Sequence, residues 1–211
     1  MEKYIINIGR QLGSGGRAIG HILAKELGIA YYDKEILSLA ARESGFCEEV
    51  FERHDEHKGF FRTFIGNIWP AFGNTGSFYD NTLSEENLFR LQSDAIRKAA
   101  SEHSCIFIGR CADYVLRDEP RCVNVFVAAD ARDRIERISR TQGVDEKTAR
   151  HLMEQGDSRR ADFYNFYSPN RWGAAATYHL CVNSSVLGVE RTAALIKDFV
   201  LKKLAPESAE R

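Results

Sequence analysis

No stretch of the chain approaches the ~18 consecutive apolar residues that a membrane-spanning helix needs, so none is expected to cross a bilayer. The first apolar run, Tyr4-Ile5-Ile6-Asn7-Ile8, is too short for a signal peptide. Net charge is nearly absent as well. Twenty-nine lysines and arginines face thirty aspartates and glutamates, a balance of -1. That excludes a bulk basic field for nucleic acid or an anionic membrane, and leaves anion recognition to local clusters. There is no Cys-x-x-Cys. The cysteines (Cys47, Cys105, Cys111, Cys122 and Cys181) are odd in number, and Cys105 and Cys181 lie in apolar runs. They read as reduced core thiols, which points to a cytoplasmic protein. His54 and His57 stand near Cys47 on a polar segment, but no fourth ligand has the spacing that zinc asks for. No internal repeat is visible.

What is present describes an ordinary folded chain. Of 211 residues, 44% are apolar and 28% charged. This excludes a mainly disordered chain and fits one large domain, or one domain with a small insert. Residues 4–8 read as a buried first strand, and Gly9 to Gly16 as a glycine-rich turn. Ile19, Ile22, Leu23 and Leu27 then share one helical face, closed by Gly28. Ala30-Tyr31-Tyr32 is a short second strand, and Asp33 is placed to cap a helix to Ser44. Residues 58–83 are rich in aromatic side chains and poorly periodic, and read as an insert. Thr82 and Glu85 form a capping-box pair ahead of a helix to Glu102. A strand follows at Cys105–Ile108, then a short helix at Arg110–Arg117 and a strand at Arg121–Val127. Asp130 caps the next helix, and another runs from Asp145 to Phe166. The last strand and helix are placed at Tyr178–Val182 and Val189–Leu204.

Strands alternating with helices predict an α/β fold, a three-layer sandwich around a five-stranded parallel sheet. Ligands in such sheets bind at the carboxyl ends of the strands. There the chain places Gly9-Arg10-Gln11-Leu12-Gly13-Ser14-Gly15-Gly16-Arg17. Glycines let backbone N–H groups turn toward one point, and the following helix N-terminus adds positive potential, so the segment suits phosphate. It departs from G-x-x-x-x-G-K-[ST]. With Gly15 on the last glycine, Arg10 takes the first glycine's place, Gly16 the lysine's and Arg17 the hydroxyl's. Arg17, one residue late and longer, is placed to supply the missing charge.

Several segments together resemble the cytidylate kinase-like branch of the nucleoside monophosphate kinases, over nearly the whole chain. They are the Arg10–Arg17 loop, Tyr31-Tyr32-Asp33-Lys34-Glu35-Ile36, Ile108-Gly109-Arg110-Cys111-Ala112-Asp113, Asp133-Arg134-Ile135-Glu136-Arg137, Asp157-Ser158-Arg159-Arg160 and Cys181-Val182-Asn183-Ser184-Ser185. The resemblance implies a P-loop NTPase fold, with ATP and Mg²⁺ as cofactors and small-molecule nucleotides as partners. It implies that Gly13, Ser14, Gly15, Gly16 and Arg17, with Arg10, hold the donor phosphates. Arg110 then holds the acceptor phosphate, Asp33 and Asp113 contact the acceptor, and Arg159 and Arg160, with Arg134, close on a lid. Leu39 stands where that branch carries an acceptor-binding arginine, and Arg42 is its substitute. No protein ligand for Mg²⁺ is identifiable.

The chain is thus read as a single kinase-like domain over 1–211, with an acceptor-binding region at 33–103 and a lid at 143–175. The implied reaction is phosphoryl transfer from ATP to CMP or dCMP. Two other readings stay open: a kinase of the same fold with another small acceptor, and a catalytically inactive nucleotide-binding sensor. The aromatic insert at 58–83 is read as a cover over the acceptor, a homodimer surface or local core. Trp172 is read as an anchor where the lid rejoins the sheet.

Overall fold

The computed structural model describes residues 2–34 and 85–205. The chain divides into two compact units, Met1–Lys34 with Ile96–Arg211, and Glu35–Ala95. The sheet lies wholly in the first. Its strands are β1 (Ile5–Arg10), β2 (Ala30–Tyr32), β3 (Cys105–Ile108), β4 (Cys122–Ala128) and β5 (Leu180–Asn183). Their order is β2-β3-β1-β4-β5, and every pairing is parallel. Parallel neighbours need crossovers, which the helices supply. These are α1 (Gly16–Leu27), α2 (Glu85–Glu102), α3 (Ala112–Val115), α4 (Ala131–Gln142), α5 (Glu146–Tyr167) and α6 (Ser184–Leu204). The result is the expected three-layer α/β sandwich. No described helix is long and apolar enough to cross a membrane.

A sheet covered on both faces explains the continuous apolar runs. Ile6, Ile8, Phe107 and Val125 are fully buried. Asn7, in the middle of β1, is tolerated there because its amide donates to Asn124 Oδ1 and Cys122 Sγ, both at 2.9 Å. Ile8 stands level with Ile108 on one side and Val125 on the other, so β1 delivers its carboxyl end into the centre of the sheet. α1 buries Ile19 and Leu23 and packs on α6. Gly28 closes it in the left-handed conformation, as its place in the sequence predicts.

Five local expectations are corrected. The helix expected over Arg110–Arg117 shrinks to α3, because Gly109, Arg110 and Cys111 are all left-handed, with φ of 72°, 61° and 54°. The last helix begins at Ser184 rather than Val189 and is broken at Gly188 (φ 76°, ψ 173°); the Asn183 side chain caps it by accepting from Ser185 N at 2.9 Å. β5 starts at Leu180, two residues late, since Tyr178 turns instead onto the Phe126 ring at 5.0 Å. Cys181 is exposed rather than in the core, because β5 is an edge strand. The thiols of Cys105, Cys111 and Cys122 are buried, and burial pushes each pKa up to about 12. Asp130 precedes α4 as expected, but its carboxylate accepts from Asn183 Nδ2 at 2.8 Å instead of from a helix N–H. Arg42, Cys47, His54, His57, most of the helix expected after Asp33, and the 58–83 insert lie outside the described residues.

Candidate active site

The loop from Gln11 to Gly15 joins β1 to α1 above the centre of the sheet. It turns tightly: Gln11 N donates to Val127 O at 3.1 Å, and both Ser14 N and Ser14 Oγ donate to Gln11 O. Gly13 and Gly15 are left-handed, with φ of 79° and 80°. At Gly13 there is no alternative, since a Cβ would sit 2.7 Å from the Arg134 carbonyl oxygen.

The loop carbonyls are tied back one after another. Arg134 Nε donates to Leu12 O at 2.7 Å, Arg137 Nη1 donates to Gly13 O, and Ser184 Oγ donates to Ser14 O at 2.6 Å. A trans peptide holds its N–H opposite its C=O. Fixing the Leu12 and Ser14 carbonyls therefore turns the Gly13 and Gly15 N–H groups the other way. The first turn of α1 adds outward N–H groups and the positive end of its dipole. The arrangement suits the oxygens of a phosphate chain. A third loop amide is withheld, besides those of Gln11 and Ser14: Leu12 N donates to Asp157 Oδ1 at 2.7 Å.

Asp157 also pairs with Arg134, and lies 3.5 Å from Arg160. Arg134 is 6% exposed. It is a brace under the loop in this structure, not a side chain standing free on a lid. Arg159 and Arg160 diverge, because consecutive helical residues point about 100° apart. Arg160 is half-buried beside Asp157, and burial holds its pKa below the ordinary value against the pull of that carboxylate. Arg159 is exposed and donates to Gln155 Oε1 at 3.2 Å.

On the opposite flank two candidates meet. Arg17 Nη2, from the first turn of α1, lies 2.5 Å from Asp33 Oδ2 at the end of β2. The Arg17 side chain is 58% exposed and that of Asp33 only 6%. The Tyr31 phenol beneath them is pushed up to about 12 by burial and by Asp33, with Arg17 and Arg10 opposing. Arg10 crosses the mouth of the site. Its stem runs against Gly16, and its guanidinium covers Gly109.

The turn after β3 is gripped by α5. The Arg110 guanidinium lies 4.3 Å from the centroid of the Phe163 ring. Asp113 Oδ2 accepts from Tyr164 Oη at 2.5 Å. Burial raises the Asp113 pKa, and the Tyr164 hydrogen bond works against that rise. Two left-handed non-glycine residues, at roughly 1–2 kcal/mol each, persist here because neighbouring packing over-determines them. Further along, Trp172 meets Phe126 of β4 edge-on at 5.3 Å.

Reading the sequence did not find Arg137 or Ser184 as braces of the loop, nor Tyr164 as the partner of Asp113. Helical spacing of Arg134 and Arg137 was the only signal for the first, and it equally describes a solvated face. The loop fits phosphate. For Mg²⁺ the described residues offer no cage: no group of three His, Cys, Asp or Glu side chains among them converges, and the position of the usual hydroxyl is Arg17.

The model of the cytidylate kinase-like family matches residues 5–186. Among solved structures, the chain is similar to an uncharacterized protein from Eubacterium ventriosum ATCC 27560, at 27% identity and TM-score 0.72, covering 94% of this chain and 98% of that one. It shares its fold with shikimate kinase from Bacteroides thetaiotaomicron, at 15% identity and TM-score 0.50, over 93% and 98% of the two chains. It also shares it with shikimate kinase from Acinetobacter baumannii, solved in complex with shikimate, at 13% identity and TM-score 0.51, over 97% and 96%. Comparison with curated proteins finds no match.

Proposed function

Since the chain belongs to the cytidylate kinase-like family, we propose that it transfers a phosphoryl group from ATP to a nucleoside monophosphate, with CMP or dCMP the favoured acceptor. The observation that carries this reading is the loop itself. Its carbonyls are tied back by Arg134, Arg137 and Ser184, and its glycine N–H groups are turned outward at the centre of a parallel sheet.

Phosphoryl transfer asks the protein for alignment and charge neutralisation more than for covalent chemistry. ATP, when bound, supplies the transferable phosphoryl group. The Gly13 and Gly15 N–H groups, with the first turn of α1, bind donor oxygens. Arg17 is exposed enough to share its charge between Asp33 and a ligand. Arg110, held against Phe163, presents a cation to the acceptor phosphate, and Asp113 beside it reads the nucleoside. Arg160 lies near enough to the loop for its charge to offset what develops in transfer.

A second reading has two observations in its favour. Gly16 stands where a lysine is usual, and the Leu12 amide is already taken by Asp157. Both suit a protein that binds nucleotide without turning it over.

The test is ADP release with ATP and Mg²⁺ against a panel of nucleoside monophosphates, with nucleotide binding measured in parallel. Turnover with CMP or dCMP well above the other acceptors is the expected result. Tight ATP binding with no turnover on any acceptor favours the second reading, and no nucleotide binding overturns both.

A further inference from the structure

We propose that Arg10 supplies the cation that the β1–α1 loop lacks at its lysine position, its side chain occupying the space the lysine stem would take. The inference rests on the nucleotide-binding reading above and assigns a phosphate contact within that site. Against G-x-x-x-x-G-K-[ST], two positions of this loop have exchanged residue types. Arg10 stands at the first glycine and Gly16 at the lysine.

The structure gives the exchange a physical basis. A Cβ at Gly16 would lie 2.7 Å from Arg10 Cβ and 3.1 Å from Arg10 Cγ. Those atoms are the root of the side chain, not its flexible tip, so position 16 can carry no side chain while Arg10 keeps its course. The stem leads the guanidinium over Gly109, at the carboxyl end of β3, where a Cβ would overlap it. β1 and β3 are neighbours whose connections diverge, α1 leading to β2 at one edge and the chain after β3 leading to β4 on the other side. That is the crevice where open α/β sheets hold ligands. The guanidinium thus lies between the loop and Arg110, and its planar fork matches two phosphate oxygens at once. Of the other cations beside the loop, Arg134 and Arg137 are bonded to its carbonyls and Arg17 is drawn toward β2 by Asp33.

The test is a swap on the full chain, with ATP dissociation constants measured in the absence of acceptor. Thermal melts of each variant run beside them. Arg10→Gly is expected to weaken ATP binding about 10- to 100-fold, the loss of a bidentate charge-assisted contact. Gly16→Lys alone is expected to bind no better than Arg10→Gly, because the new stem meets that of Arg10. The double variant Arg10→Gly/Gly16→Lys is expected to return to within about 3-fold of the parent, a coupling that two independent sites would not show. Arg10→Gln keeps the stem and removes the charge, so it carries the test if Arg10→Gly fails to fold. A folded Arg10→Gly or Arg10→Gln protein with parental ATP affinity overturns the assignment to Arg10 alone. A folded double variant no better than Arg10→Gly does the same. A parent chain that binds no ATP overturns the nucleotide reading, and this inference with it.

Discussion

Two arginine–aspartate pairs flank the β1–α1 loop, and they differ in burial. In Arg134–Asp157 the side chains are 7% and 18% exposed; in Arg17–Asp33 they are 58% and 6%. The first is closed. Each partner also bonds the backbone of Leu12, one at its carbonyl and one at its amide. The second is open on the arginine side. A buried pair fixes geometry, because either charge left alone in a low dielectric is costly. A half-exposed arginine can change partners at little cost, which is what a ligand contact needs. The same ion-pair chemistry therefore makes a brace on one side of the loop and a contact for anions on the other.

The comparison can be broken most severely at Asp157. Asp157→Ala strands the Arg134 charge and the Leu12 N–H, and is expected to cost about 3–5 kcal/mol, read as a lower urea midpoint. Asp157→Asn, whose amide oxygen still accepts from Leu12 N, is expected to lose less.

Next comes the turn after β3. Tyr164→Phe removes the donor to Asp113 and is expected to cost about 1.5–3 kcal/mol at neutral pH. The pH dependence sharpens this. Burial raises the Asp113 pKa above its ordinary 3.8, so the folded state holds that proton more tightly than the unfolded chain. The associated stability is fully present below pH 3.8 and is lost as pH rises through the higher folded value. Tyr164→Phe raises that value further, so thermal stability should fall more steeply above about pH 4 than in the parent. Asp113→Asn should flatten this part of the profile.

The smallest effect is expected at Arg17. Arg17→Gln keeps a donor for Asp33, and with the arginine exposed it should change stability by less than about 1 kcal/mol. Raising the salt concentration should shrink even that difference. Salt should leave the Asp157→Ala loss largely intact. Equal losses at Asp157 and Arg17, or equal salt sensitivity, would remove the distinction between brace and contact.

The strand and helix order was legible because apolar periodicity is local, and each run carries its own pattern. The glycine-rich turn was legible for the same reason. The left-handed Arg110 and Cys111 were not, since isolated side chains avoid that conformation and it persists in a turn that Phe163 and Tyr164 of α5 grip at Arg110 and Asp113. The start of α6 was hidden by Gly188, which reads locally as a helix boundary. Among the site candidates, Arg17 and Asp33 meet because the fold brings α1 beside the end of β2, and the packing of α5 decides that Arg160 rather than Arg159 is half-buried beside Asp157.

By itself the sequence determined the alternation of elements, the position of the phosphate-suited loop, and the exchange of arginine and glycine at its two ends. Composition and spacing along the chain contain those. The tertiary structure alone decided which arginines brace the loop and which stand open at its mouth. Arg134 reaches Leu12 across 122 residues, and Asp157 reaches it across 145. Whether a charge is buried depends on what the fold brings over it, and no local pattern in the chain records that.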